Sequence, residues 1–138
     1  MDNLNIIKNI FKLNTIAVVG MSPKPDRPSN YVSLYMKKNG YKIIPVNPGQ
    51  NKINDENCYS KLTEIPFKVD IVNVFRRSEY VLPIIKDAIK IKAKAIWLQD
   101  GVVSEEGSEL VKKEQIMFVM NDCLLRRHQQ LNQYFLND

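Results

Sequence analysis

The stretch TIAVVGMSPKPDRPS, residues 15–29, decides the fold. Its first six residues form a short, nearly all-apolar run that ends in Gly20, and its length and β-branched side chains favour a buried parallel strand. The three prolines that follow exclude a helix or an inner strand, so the chain must form an irregular loop there. Ser29 is then placed to cap a helix over residues 30–39, which ends at Gly40.

Working outward from this unit, the same alternation continues along the chain. Apolar runs predict four more strands, at residues 41–46, 69–75, 93–99 and 116–120. Further helices are predicted over residues 3–12, one turn after Ser60, 78–92 capped by Ser78, 104–114 capped by Ser104, and 124–135.

This alternation implies a parallel sheet with right-handed crossovers. We therefore predict a Rossmann-like α/β fold with a doubly wound sheet of five parallel strands. The expected strand order is 3-2-1-4-5, with helices on both faces. A chain of 138 residues fits a single domain, so we expect one domain over residues 1–138.

Composition narrows the class of protein. Apolar residues make up 44% of the chain and charged residues 25%, as in ordinary globular proteins. No apolar run approaches the roughly 18 residues of a membrane span, and the amphipathic N-terminus lacks signal-peptide features, so we expect a cytoplasmic protein. The net charge of +5 fits a lysine-rich surface with a local anion site. No nucleic-acid motif is present, so we expect neither a nucleic acid nor a membrane as partner.

The cysteines and the histidine give little support for catalysis. Cys58 and Cys123 lie far apart, and with a single histidine they do not form a zinc motif, so we expect two buried thiols in a reducing compartment. Cys123 and His128 could be read as a nucleophile and its base, but no third orienting group or oxyanion site is evident. We expect His128 to cap or pack the terminal helix, and we expect no catalytic residue.

The loop after the first strand is the expected ligand site, because doubly wound sheets bind ligands at strand carboxyl ends beside that strand. Gly20 permits a tight turn and close backbone approach, and Ser22 offers a hydroxyl. Lys24 and Arg27 add positive charge. The loop leads into a helix N-terminus at Ser29, which attracts phosphate. We predict a phosphate-binding loop here.

The loop lacks the dinucleotide fingerprint. GxGxxG would need glycines at positions 22 and 25, where the chain has Ser22 and Pro25. The acidic residue that holds the ribose of NAD is also absent, because the second strand ends in Val46, Asn47 and Pro48. A Walker-type P-loop sequence is not found either. NAD(P) therefore stays only an alternative ligand.

Two other strand ends bring polar residues to the same edge. The segment VFRRS, residues 74–78, places Arg76 and Arg77 there, and guanidinium groups suit phosphate; we expect one of them to contact ligand and the other to be structural. In WLQDGV, residues 97–102, we expect Trp97 to pack in the core, Gln99 to touch the ligand and Asp100 to point away.

Six segments in matching order carry a family resemblance: IAVVGMSPKPDRPSNYV, GYKIIPVNPG, CYSKLTEIP, VDIVNVFRRSE, AKAIWLQDGV and VMNDC. Over Thr15 to Leu131 the chain resembles small stand-alone CoA-binding proteins, which are related to the CoA-binding domain of the succinyl-CoA synthetase α subunit. The resemblance implies a Rossmann-like fold that binds coenzyme A at the strand carboxyl ends.

By matched position, the resemblance assigns the ligand contacts. The phosphate and pantetheine path would be lined by Gly20, Met21, Ser22 and Lys24. Arg27 and Ser29 would reach phosphate oxygens, and Phe75 and Arg76 would close the other side. The adenosine end would lie against Val46, Asn47 and Pro48.

The chain departs from the family pattern at two places. Position 100 usually carries a less charged residue, and Asn121-Asp122 stands where Asp-Arg is common, which puts any role of the C-terminal segment in doubt. His128 does not match the phosphorylated histidine of the synthetase, which lies in another domain.

We expect a protein that binds coenzyme A or an acyl-CoA without catalysis of its own. The alternatives are an enzyme that uses an acyl-CoA or NAD(P), and a regulatory or scaffold protein that responds to coenzyme A. A homodimer or a protein partner stays open.

Overall fold

The computed structural model describes residues 3–136, and the side chains of residues 3–133. Helices and strands alternate along the chain. In order they are α1 (Leu4–Ile10), β1 (Thr15–Val19), α2 (Pro28–Lys38), β2 (Lys42–Val46), β3 (Lys52–Ile53), β4 (Glu56–Asn57), β5 (Ile71–Val74), α3 (Val81–Lys90), β6 (Ala95–Leu98), α4 (Glu105–Val111), β7 (Met117–Val119) and α5 (Leu124–Leu136). Short 3-10 turns cover Leu62–Glu64 and Ser78–Tyr80.

The main sheet has five parallel strands in the order β2-β1-β5-β6-β7. This confirms the predicted Rossmann-like α/β class. The predicted order 3-2-1-4-5 is wrong, however. Counted over the five predicted strands the order is 2-1-3-4-5, because the third strand pairs with β1 and not with β2.

Pro45 explains why β2 lies at the edge. Proline has no N–H to donate to a ladder, so within sheets it belongs on an edge strand. On the outer side of β2, the Pro45 carbonyl accepts the N–H of Tyr59 in an irregular segment, and no strand is added there. The order 3-2-1-4-5 would have placed this proline inside the sheet.

Two apolar clusters cover the two faces of the sheet. On one face, α1, α2 and α5 pack against Ile16, Val18 and Trp97, and the Trp97 side chain is fully buried, as predicted. On the other face, α3 and α4 pack against alternate strand residues such as Ala17 and Val72. Successive residues of each strand point to opposite faces of the sheet, so each strand contributes side chains to both clusters. This is expected for a sheet buried on both sides.

Only one of the four predicted serine caps is confirmed. The Ser104 side chain accepts the N–H of Gly107 at 3.0 Å and so caps α4. Ser29 is not a cap: α2 begins one residue earlier with Pro28 at its first position, where proline is favoured. Ser60 bonds the Glu64 carboxylate through its N–H and hydroxyl, and Ser78 accepts the N–H of Val103.

A two-stranded hairpin, β3 and β4, was not expected from the sequence. Its turn residues Asn54 and Asp55 have φ of 52° and 66°, the left-handed values of a tight hairpin turn. The hairpin lies within the connection from β2 to β5, and it brings Asn54 against the start of α2.

Candidate functional site

Gly20 sets the geometry of the loop that follows β1. Its φ is +85°, and a Cβ there would lie 2.6 Å from the Phe75 carbonyl oxygen and 3.2 Å from Arg76 Nε. The Gly20 N–H donates to the Val46 carbonyl at 2.8 Å. Only glycine fits, and the close contact brings the ends of three strands together at one point.

Ser22 holds the loop in one conformation through three hydrogen bonds. Its N–H donates to Ser29 Oγ at 2.9 Å, its Oγ accepts the N–H of Lys24 at 3.1 Å, and its carbonyl accepts from Asn30 Nδ2 at 2.8 Å. Ser29 is therefore engaged by the loop itself and is 5% exposed. The loop thus bonds to itself and to the start of α2 through Ser22.

Three asparagines support the loop from behind, and sequence reasoning missed the roles of Asn30 and Asn54. Asn30 is fully buried and exchanges side-chain hydrogen bonds with Asn54, at 3.1 and 3.3 Å. Asn47, expected at the adenosine end, donates from Nδ2 to the Met21 carbonyl at 2.8 Å. The Asn-Asp pair at residues 54–55 was the available signal, because it is a hairpin-turn sequence.

The central cavity lies over this loop and measures about 360 Å³. Lys24 and Arg27 are exposed at its edge and make no ion pair with any other residue in the described range 3–136. The N-terminus of α2 also lies here, where the helix dipole places partial positive charge. The cavity is lined by Gly20, Ser22, Lys24, Arg27, Pro28, Ser29 and Phe75. This arrangement favours an anion.

A second cavity, of about 160 Å³, lies toward the end of β2. Arg76, which reaches over Gly20, connects it to the central cavity. Five of its nine described lining residues are apolar, and the others are a serine, a lysine, an arginine and an aspartate. The lining residues are Val19, Val46, Pro48, Ser60, Lys61, Leu62, Arg76, Ile84 and Asp87.

A third cavity, of about 370 Å³, lies on the other side, at the ends of β5 and β6. It shares Pro28 and Phe75 with the central cavity. Its other lining residues are Tyr31, Val32, Gln99, Asp100, Cys123, Leu125 and Arg126. The three cavities thus lie in a row along the carboxyl edge of the sheet.

The structure brings ten of the twelve predicted site residues to this row. The central cavity holds Gly20, Ser22, Lys24, Arg27, Ser29 and Phe75; the second holds Val46, Pro48 and Arg76; the third holds Gln99. The exceptions are Met21 and Asn47. The Met21 side chain is 1% exposed and packs in the core, so only its backbone lies in the loop.

Gln99 is nearly buried, and its position is fixed by a residue that sequence reasoning passed over. Its Nε2 donates to Asn73 Oδ1 at 2.9 Å, and Asn73 is 1% exposed on the neighbouring strand β5. The signal was a polar residue within the apolar run VDIVNVF, residues 69–75. The pair holds the Gln99 side chain at the floor of the third cavity.

The C-terminal segment joins the row through a network of paired charges. The Arg126 guanidinium donates to both carboxylate oxygens of Asp100, at 2.8 and 3.0 Å, and to Asp122 at 3.1 Å. Arg127 donates to Asp122 at 2.8 Å. The Arg126 guanidinium holds the pKa of the Asp100 carboxyl below its usual value. Asp122, the departure from the family pattern, therefore anchors α5.

Cys123 and His128 are not brought together. Cys123 lines the third cavity and is half-buried, as is Cys58, so the prediction of two buried thiols was too strong. His128 is 9% exposed and bonds the Tyr35 hydroxyl through Nδ1 at 2.8 Å, which fits the predicted packing role. Among residues 3–136, no group of three or more His, Cys, Asp or Glu side chains could hold a metal ion. Within the same range, no helix is long and apolar enough to cross a membrane.

Fold and site together define a Rossmann-like α/β domain with a cationic row of cavities at its switch point. The CoA binding domain family matches residues 14–129, and the chain belongs to this family. It is 41% identical over 113 residues to YneT of Bacillus subtilis (strain 168), an alignment that covers 82% of this chain and 84% of YneT.

Two further likenesses place the domain in context. A Pyrococcus horikoshii OT3 protein of known structure superposes with a TM-score of 0.89 and 31% identity, covering 95% of this chain and 92% of that one. The chain is also 28% identical over 105 residues to the ADP-forming acetate–CoA ligase II of Archaeoglobus fulgidus. That match covers 75% of this chain but only 16% of the ligase, so the likeness concerns one domain of a much larger protein.

Proposed function

We propose that this protein binds coenzyme A along the carboxyl edge of its sheet. The observation that carries the proposal is the row of three adjoining cavities in a chain of the CoA-binding family. Coenzyme A is long and has an adenosine end, a phosphate-rich middle and a pantetheine arm that ends in a thiol. A row with its cations at the centre suits such a ligand.

The central cavity would take the phosphates. Lys24 and Arg27 can donate to phosphate oxygens, and the positive end of the α2 dipole lies at the same cavity. Arg76 stands next to Gly20 and can reach the same groups. None of these three side chains has an anionic partner among the described residues, so ligand phosphate would be the first.

The two ends of the ligand would lie in the flanking cavities. Adenosine would lie at the end of β2, against Val46 and Pro48 and near Arg76. The pantetheine arm would pass Phe75 and Pro28 into the third cavity, where the buried Gln99 side chain and Cys123 lie. The thiol, or the acyl group of an acyl-CoA, would end there.

We propose binding without catalysis. Among the residues that line the three cavities there is no histidine, and the only carboxylates are Asp87 and Asp100. Asp100 is already bonded twice by Arg126, which disfavours a role as general base. Cys123 lies in the row, and no hydrogen bond joins its thiol to a base among the described residues.

Native mass spectrometry of the purified protein, followed by calorimetric titration, tests this proposal. We expect a mass increment that matches coenzyme A or an acyl-CoA, and saturable binding of coenzyme A at one site per chain. Titrations with acetyl-CoA, ADP and NAD define the specificity. Binding of NAD with no binding of coenzyme A would overturn the proposal, and hydrolysis of acetyl-CoA by the protein would overturn the part that excludes catalysis.

A further inference from the structure

A separate cavity lies at the opposite edge of the sheet, where the chain enters β1 and β2. It measures about 470 Å³, more than any one of the three cavities of the carboxyl edge. We call it the rear cavity. Its lining comes from the end of α1, the residue before β2 and the middle of α5, and consists of Lys8, Phe11, Lys12, Tyr41, His128, Leu131 and Asn132.

Aromatic rings form the walls of the rear cavity and are held in place. The His128 ring stands edge-on to the rings of Phe11, Tyr35 and Tyr41, with centroid distances of 5.3, 5.4 and 5.9 Å. The Tyr41 hydroxyl donates to the Phe11 carbonyl. Walls fixed by packing and hydrogen bonds do not need to be ordered by a ligand, which favours binding.

His128 lines this cavity, and its Nδ1 is already engaged by neighbouring side chains. Its Nδ1 lies 2.8 Å from the Tyr35 hydroxyl and 3.5 Å from Asn132 Nδ2, and an amide nitrogen can only donate. Burial lowers the pKa of the imidazole, which favours the neutral ring. With Nδ1 as acceptor the proton is on Nε2, which has no hydrogen-bond partner among the described residues.

The described rim of the rear cavity carries positive charge. Lys12 lies at this rim, and no acidic residue is among the described residues that line the cavity. Lys12 is exposed and has no ion pair within the part of the chain that the structure describes. Aromatic walls, a free N–H donor and positive charge at the rim describe the surroundings of an amphipathic anion.

We propose that the rear cavity is a second binding site, one that takes a small aromatic carboxylate. The aromatic ring would pack between Phe11 and Tyr41 over Leu131, where ring edges and faces favour another ring. The carboxylate would accept from His128 Nε2–H and face Lys12. This site is independent of coenzyme A, because it shares no lining residue with the three cavities of the carboxyl edge.

Titration with phenylacetate, followed by two-dimensional NMR, tests the proposal. We expect saturable shifts at Phe11, Tyr41, Leu131 and His128, and none at the Gly20 loop. Phenylacetamide has the same shape without the charge and should bind at least about tenfold more weakly, since one charge-assisted contact is lost. Equal binding of the two compounds, or no saturable shift at these residues, would overturn the proposal.

Two variants and a control make the test specific. Lys12→Glu, on an exposed residue, should weaken phenylacetate severalfold, whereas Lys113→Glu, the same change at an exposed site beyond α4, should leave it unchanged. His128→Phe keeps a ring but removes the donor, and should also weaken binding; thermal unfolding checks that this variant folds. Equal effects of the two lysine variants would contradict the site. If sedimentation shows a dimer that Lys12→Glu dissociates, and if no phenylacetate binds, then a second copy of the chain covers this face instead.

Discussion

Two regions at the carboxyl edge use arginine in opposite ways. Arg126 and Arg127, at the start of α5, are bonded to the carboxylates of Asp100 and Asp122. Arg27 and Arg76, a short distance along the same edge, line cavities and have no acidic partner among residues 3–136. Arginine thus anchors a helix in one region and stays available to bind a ligand in the other.

The difference shows how the chain separates stability from ligand binding. A paired guanidinium gains little from a ligand, because its hydrogen-bond donors are already used. An unpaired one contributes little to folding but can bind phosphate. Changes in the α5 network should therefore alter the free energy of unfolding, and changes in the loop cations should alter affinity. Gly20, on which the loop depends, should affect both.

Gly20→Ala should have the largest effect. The new Cβ meets the Phe75 carbonyl at 2.6 Å, and the φ of +85° is strained for alanine. We expect the free energy of unfolding to fall by roughly 2–4 kcal/mol and coenzyme A binding to be lost. Urea unfolding and calorimetry measure the two effects.

Gly40→Ala is the matched control for this change. Gly40 has a similar φ of +96°, but no atom lies within 4 Å of the added Cβ. It should lower stability by about 1 kcal/mol and leave binding unchanged. If Gly20→Ala behaved no differently from Gly40→Ala, the close contact at Gly20 would not be what fixes the loop.

Asp122→Asn should have the next largest effect, and on stability alone. The buried carboxylate accepts from both arginines and from the N–H of Cys123. Asparagine keeps one acceptor oxygen but loses the charge and the other acceptor, which should lower the free energy of unfolding by about 1–3 kcal/mol, with the affinity for coenzyme A changed less than about threefold. A loss of affinity in a variant with unchanged stability would reverse the roles assigned to the two regions.

Asp100→Asn should have the smallest effect, and a pH-dependent one. Because Arg126 holds its pKa below the usual value, Asp100 contributes stability above about pH 4, and this is lost as the pH falls through the folded-state pKa. The side chain is 55% exposed, so solvent screening keeps the contribution below about 1 kcal/mol. Stability curves of wild type and variant should converge in acid. Curves that stay parallel from pH 7 to pH 2 would contradict this assignment.

The sequence predicted which segments form strands better than it predicted the order of the strands in the sheet. Apolar runs bounded by turn residues located all five strands of the main sheet, because a sheet buried on both faces needs continuous apolar strands. The strand order was mispredicted, although Pro45 indicates that β2 is an edge strand. A proline in a strand belongs at the edge of a sheet. The prediction of serine caps was wrong where another residue determines the helix start, as Pro28 does for α2.

The site was predictable where it depends on backbone position and less so where it depends on side-chain direction. Glycine at a strand end followed by cations predicted a loop that lines the central cavity. Family position assigns Met21 and Asn47 to the ligand; in the structure the Met21 side chain packs into the core and Asn47 bonds the loop, and their contact with ligand stays a prediction. The Asn30–Asn54 contact joins residues 24 apart in sequence, and it forms only once the hairpin is in place.

The central claim is that unpaired cations of the loop bind the phosphates of coenzyme A, and calorimetry of Arg27→Ala tests it most directly. Arg77→Ala is the control, because Arg77 is exposed and lines none of the three cavities. We predict that Arg27→Ala weakens coenzyme A binding about tenfold or more without changing stability, and that Arg77→Ala leaves affinity unchanged. Wild-type affinity in a folded Arg27→Ala variant would contradict the claim.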